Sequence, residues 1–293
     1  MDPKEKEKRM PKPTSARIKT GAFVILALSI VGAALLSWYN ITFIGDDMLY
    51  SSHAPSFLPI MMLLAAVVAS VAFSFMLRRE KTLNSLPKTN DMTHQVICCL
   101  ICASLLAITV LYIVLGTRDL NGGAELTDKL KEDIAIVLTC YMLYAVLAPV
   151  ASLYFIKSAF GERKISVSLG CVAVLWFLLY LVRLYFDLSD MVEAPRKLTL
   201  IFAVCMAVLF LVCEIRFALG NASARKYFIF ASLCAVSCIS AGFAGGLCAM
   251  IGKYPTSVDF SYFVFVLLIG IYALERVFSV AYLPVAAKSE DAE

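Results

Sequence analysis

The sequence predicts an all-α fold, a polytopic transmembrane helix bundle of about eight spans with both termini cytoplasmic. Three observations predict it. Of the 293 residues, 61% are hydrophobic and 16% are charged, whereas a soluble domain carries about 25% charged and about 45–50% apolar residues. Eight apolar segments reach the about 20 residues that a helix needs to cross the hydrocarbon core; they fall near 21–44, 57–77, 95–116, 134–156, 165–187, 198–219, 227–250 and 260–282. Finally, with the N-terminus cytoplasmic, 18 of the 26 basic residues fall in inner segments and six in outer loops, leaving Arg183 and Arg276 within the membrane. That bias is the one that orients membrane bundles.

The first 20 residues hold seven of those basic residues together with prolines, a composition expected to form a disordered cytoplasmic tail. The following run is uncharged from Thr20 to Gly45. It exceeds the about 7–15 apolar residues of a secretory signal, and no small-residue cleavage site follows, so it reads as a retained anchor. Residues 21–283 then form the membrane domain, with 21–156 and 165–283 as candidate 4+4 halves, and 284–293 a second cytoplasmic tail. In the first segment Trp38 and Tyr39 suit the outer interface. Pro55 and Pro59 bracket the start of the second, where a missing N–H costs little.

The loop at 117–133, TRDLNGGAELTDKLKED, predicts a Gly-Gly turn and a short surface helix. Pro149 removes a backbone donor from the fourth segment and predicts a kink. Arg183 lies near the outer end of the fifth, with Asp187 one turn further along the same face, so the two can pair; the long side chain can also reach the headgroups. The seventh segment carries Ala241, Gly242, Gly245 and Gly246. Small residues four apart let helix backbones approach closely in lipid, which predicts a central, tightly packed helix.

Glu214 and Arg216 in the sixth segment, and Tyr272, Glu275 and Arg276 in the eighth, are the leading ligand or ion candidates, with Arg183 and Asp187 secondary. An ionisable group at a helix centre costs about 2.5–3.5 kcal/mol on insertion scales, and function is its default explanation. Both glutamates sit about sixteen residues into spans of the same direction, counted from Leu198 and Phe260. Glu214 can therefore pair with Arg276, or Glu275 with Arg216, if the two helices are neighbours. Tyr272, Glu275, Arg276 and Ser279 share one helix face. A register-fixing salt bridge and a site that takes a proton, a cation or an anionic ligand both remain open.

Other chemistry has little support. The ten cysteines all fall in apolar runs, where cysteine behaves as a small hydrophobe. Cys99 and Cys102 have redox-motif spacing, and Cys234 and Cys238 lie one helical turn apart. Zinc needs four converging ligands, and the two histidines, His53 and His94, read as loop or interface residues on opposite sides of the membrane. No metal, haem or other cofactor is expected, and no catalytic residue is assigned. The phosphate-cradling, HExxH and GxSxG patterns are absent, and no basic stripe with interleaved aromatics suggests nucleic acid.

The run VRLYFDLSD…LFLVCEIRFALG, within 182–220, is similar to stretches in uncharacterised multi-span membrane proteins of clostridial bacteria. The likeness rests on an Arg-aromatic cluster and a Glu-x-Arg-Phe ending over about two spans. It implies a bacterial inner-membrane location and carries over no activity and no functional residues. The expected function is transport or permeation of a small solute or lipid. The alternative is a non-catalytic subunit or assembly partner of a membrane complex, with a membrane-protein partner; an intramembrane enzyme comes third. The lipid bilayer is the one partner that every reading shares.

Overall fold

The computed structural model describes residues 16–45, 57–76, 92–122, 128–160, 166–186, 195–219, 223–253 and 257–282. They form eight helices: α1 (Ala16–Phe43), α2 (Phe57–Met76), α3 (Met92–Gly122), α4 (Asp128–Phe160), α5 (Val167–Phe186), α6 (Pro195–Ala218), α7 (Ala224–Met250) and α8 (Ser257–Tyr282). Helix is the form in which an apolar segment satisfies its own backbone polar groups without water. Seven of the eight are long and apolar enough to span a membrane, and in α4 the described apolar portion is Ala145–Phe160. The chain is a multi-pass, all-helical bundle, as its apolar runs predict.

Two local readings shift. Helix α1 begins at Ala16, inside the tail expected over 1–20. Where the 117–133 loop predicts a separate surface helix, α3 instead continues to Gly122 and α4 starts at Asp128. Residues Thr117–Asn121 thus extend α3, and Gly123 of the expected Gly-Gly turn lies outside the described residues. Helix α4 continues on both sides of Pro149, and the Ser152 hydroxyl donates to the Pro149 carbonyl at 2.6 Å.

Helix α7 is the hub, packing against α8, α1, α6 and α2. Its small residues explain why. A Cβ added at Gly242 would lie 2.5 Å from the Leu267 backbone nitrogen, and one at Gly270 on α8 would lie 2.7 Å from the Ile239 nitrogen on α7. Each helix presses a glycine against the other's main chain. The Phe263 ring occupies the space beside Gly245, while Gly246 has room, its nearest neighbour being 3.8 Å away. Large apolar side chains such as Ile60, Met61, Leu64 and Val68 on α2 face outward. Apolar surface on that scale marks contact with lipid rather than water.

The turn from α7 to α8 locks α1 in place. Gly252 takes a positive φ of 79°, a conformation glycine adopts without a Cβ penalty, and Lys253 N–H donates to the Cys248 carbonyl at 3.0 Å. The Lys253 ammonium then donates to the carbonyls of Ile41 (2.7 Å) and Ile44 (2.6 Å). Cations favour a helix C-terminus, where carbonyls lack helical partners.

Candidate functional site

Five helices bring polar side chains to one end of the bundle. This is the end where α3 and α7 begin and α4, α6 and α8 finish. Glu214 lies near the end of α6 and Tyr227 in the first turn of α7; His94 opens α3, Ser158 closes α4, and α8 contributes Tyr272, Glu275, Arg276 and Ser279. The pairs His94–Cys98 and Tyr154–Ser158 are each four residues apart, so each presents two polar atoms on one helix face.

Glu214 is the centre and is fully buried. Tyr154 OH donates to its Oε2 at 2.7 Å and Tyr227 OH to its Oε1 at 3.2 Å. Tyr272 OH lies within 3.2 Å of both oxygens. Arg276 completes the set, its Nε 3.1 Å from Oε1. A buried carboxylate stays ionised only when paired and hydrogen-bonded, and three hydroxyls and a guanidinium meet that need. Phe155, Phe210 and Phe217 pack edge-on or tilted against these tyrosines.

The second half of the network is less enclosed. Arg276 Nη2 donates to Tyr272 OH at 3.0 Å and to Ser158 Oγ at 3.1 Å. Glu275 stands further from that guanidinium, at 3.9 Å. Its Oε2 meets His94 Nδ1 at 3.1 Å, and its Oε1 accepts from Ser279 at 2.7 Å. The other ring nitrogen of His94 faces Ser158 Oγ at 3.4 Å and Cys98 Sγ at 3.6 Å. His94 is fully buried, whereas the Glu275 side chain retains 14% exposure.

Of the two pairings open from the sequence, Glu214 with Arg276 is present. Glu275 turns to His94 instead of Arg216, whose side chain is exposed. His94 corrects the sequence reading: it is a buried partner of a carboxylate, not a solvated loop residue. Its α3 helix starts at Met92, three residues before the expected span, which carries the ring inside. His53 lies outside the described residues. Arg183 is near the end of α5, where its guanidinium donates to Tyr262 OH and lies 5.4 Å from that ring's centroid; it belongs to the opposite end of the bundle, and Asp187 lies outside the described residues. Ala241, Gly242, Gly245 and Gly246 are all buried in α7 and act in packing.

Seven of the nine described cysteines are buried or half-buried. Cys99 is exposed while Cys102 is buried and donates to the Ser152 carbonyl at 3.3 Å, so the CxxC spacing does not bring the two thiols together. Cys234 and Cys238 are buried with sulfurs 3.8 Å apart. Among the described residues no three His, Cys, Asp or Glu side chains converge as metal ligands. Known protein families, curated proteins and solved structures contain no match to this chain.

Proposed function

We propose that this multi-pass membrane protein moves a small solute or lipid across the bilayer, with the polar end of the bundle as its working site. One observation carries the reading. Two carboxylates, a guanidinium and an imidazole are gathered inside a lipid-facing bundle, and they are unequally enclosed: Glu214 and Arg276 are sealed while Glu275 retains an exposed edge. Charges used only to hold register have no need of an open side. Ionisable groups within membrane helices mark ion and substrate pathways when they face the interior. Loop charges support a cytoplasmic position for this end.

Purification from native membranes followed by native mass spectrometry tests the reading. A retained solute or lipid, lost on Glu275→Gln while abundance and folding are preserved, is the expected result. A stoichiometric protein partner with no retained small molecule overturns it in favour of a complex subunit. Reporter fusions at the two ends check the orientation independently, since opposite locations for the ends contradict an even number of crossings.

A further inference from the structure

We infer that the His94–Glu275 pair is an exchangeable-proton site, and that Ser158 relays its occupancy to the sealed Arg276–Glu214 pair. This deepens the transport reading and rests on it, naming the proton as the coupling ion.

Charge comes first. With a neutral imidazole, Glu214, Glu275 and Arg276 sum to one unbalanced negative charge within a few ångströms. Glu214 is already answered by Arg276 and three hydroxyls, so the surplus resides on Glu275. Like charges held close in a low-dielectric interior favour uptake of a neutralising proton. The titratable and charged groups at the pair are Cys98 from α3, 3.6 Å from His94 Nε2, with Arg276, 3.9 Å from Glu275, and the Tyr272 ring, 5.7 Å from the imidazole, both from α8; behind them lie Glu214 from α6 with its partners Tyr154 from α4 and Tyr227 from α7. Helix α1, the remaining neighbour of α8, meets it through Phe23 against Phe278. Access follows from exposure. The edge of Glu275 is the one part of the pair that meets surroundings outside the bundle.

The hydrogen bonds state what the proton changes. Opposite an ionised Glu275, Nδ1 of a neutral His94 carries the ring proton and donates it, which leaves Nε2 an acceptor for the Ser158 hydroxyl or the Cys98 thiol. One proton taken from water, entering past Glu275, makes the ring an imidazolium and Nε2 a donor. The water loses that proton, no covalent bond between heavy atoms changes, and the cluster becomes neutral. Ser158 Oγ must then accept from Nε2 while it already accepts from Arg276 Nη2 at 3.1 Å. Its own hydrogen turns toward Tyr272 OH, 3.5 Å away, and that hydroxyl is a ligand of Glu214. Two cations now share one serine oxygen. Arg276 is loosened at that contact, and the sealed pair senses a proton bound beside it.

The composition allows a direct test, because the chain has two histidines. In a His53→Asn protein labelled with ¹⁵N-histidine and placed in lipid nanodiscs, every ring signal belongs to His94. Between pH 8 and pH 5 the spectrum should pass from one protonated ring nitrogen to two. Glu275→Gln should displace that transition, since it removes the carboxylate that His94 Nδ1 faces at 3.1 Å. Ser158→Ala should leave the transition in place but abolish any pH dependence of solute retention. A ring that keeps one proton throughout overturns the inference, and so does a transition indifferent to Glu275→Gln. The unsubstituted network decides the first point even if Glu275→Gln does not fold. Titration without a retained solute at any pH leaves the proton site standing and removes the transport reading; a retained solute with no titration does the reverse.

Discussion

Neutralising Glu214 strands Arg276 in a buried site, and the cost can be worked from their separation. Two unit charges 3.1 Å apart attract by about 5 kcal/mol at an effective dielectric of about 20. Removing one partner of a buried pair costs about 3–5 kcal/mol in practice, because the other charge remains buried without compensation. Glu214→Gln keeps the size of the side chain and an acceptor for one tyrosine, so the expected destabilisation is about 3 kcal/mol. Arg276→Gln should cost a comparable amount, leaving a carboxylate to three hydroxyls alone. The double variant restores neutrality, and its cost should fall short of the sum of the singles by at least about 2 kcal/mol. Unfolding in mixed micelles of a mild detergent and increasing dodecyl sulfate, followed by circular dichroism, measures all three. Costs that add to within about 0.5 kcal/mol, as independent sites do, would refute the pairing.

Three further outcomes follow from the packing. Gly242→Ala should destabilise by up to about 2 kcal/mol, since overpacking costs about 1–3 kcal/mol against the about 1 kcal/mol helix preference of alanine; Gly246→Ala, with 3.8 Å of clearance, should be neutral or slightly stabilising in the same unfolding assay. Tyr154→Phe removes a 2.7 Å bond to a carboxylate and should cost about 1.5–3 kcal/mol, seen as a lower thermal midpoint without loss of helix. Lys253→Met withdraws two bonds from carbonyls near the end of α1. Because that ammonium is partly exposed, the cost should be about 1 kcal/mol, with faster amide exchange over the last turn of α1 as the specific sign.

Much of this was legible because lipid imposes a simple rule on sequence: a long apolar run forms a helix. The same rule made Glu214, Glu275 and Arg276 conspicuous, since charge is costly there. Glu214 with Arg276 could be anticipated from equal depth, though neighbourhood of α6 and α8 could not. His94 was missed because it borders a predicted loop, and a neutral imidazole at a span edge looks like an interface residue. The available signal was its spacing to Cys98 and its side of the membrane, shared with both glutamates. The tyrosines were hidden differently. Tyr154 and Tyr227 sit among phenylalanines, and an apolar scale does not separate a packing ring from one whose hydroxyl is committed. A buried tyrosine hydroxyl generally requires a partner, so tyrosines at the depth of a buried acid deserve pairing with it.

The grip of Lys253 on α1 also bears on how the protein is made. The contact joins residues 209 positions apart, and the long flank of α1 rests chiefly on α7, with α2 and α8 beside it. At about 5–20 residues per second of synthesis, the first helix waits roughly ten to forty seconds for its principal neighbour to emerge. During that interval Gly32, beside which Met62 of α2 can already sit, lacks its Ser240 neighbour on α7. Biogenesis of this chain is thus exposed to a chaperoning requirement at its beginning, and a chain arrested before α7 should leave its first helix open to the cell's membrane quality-control proteases.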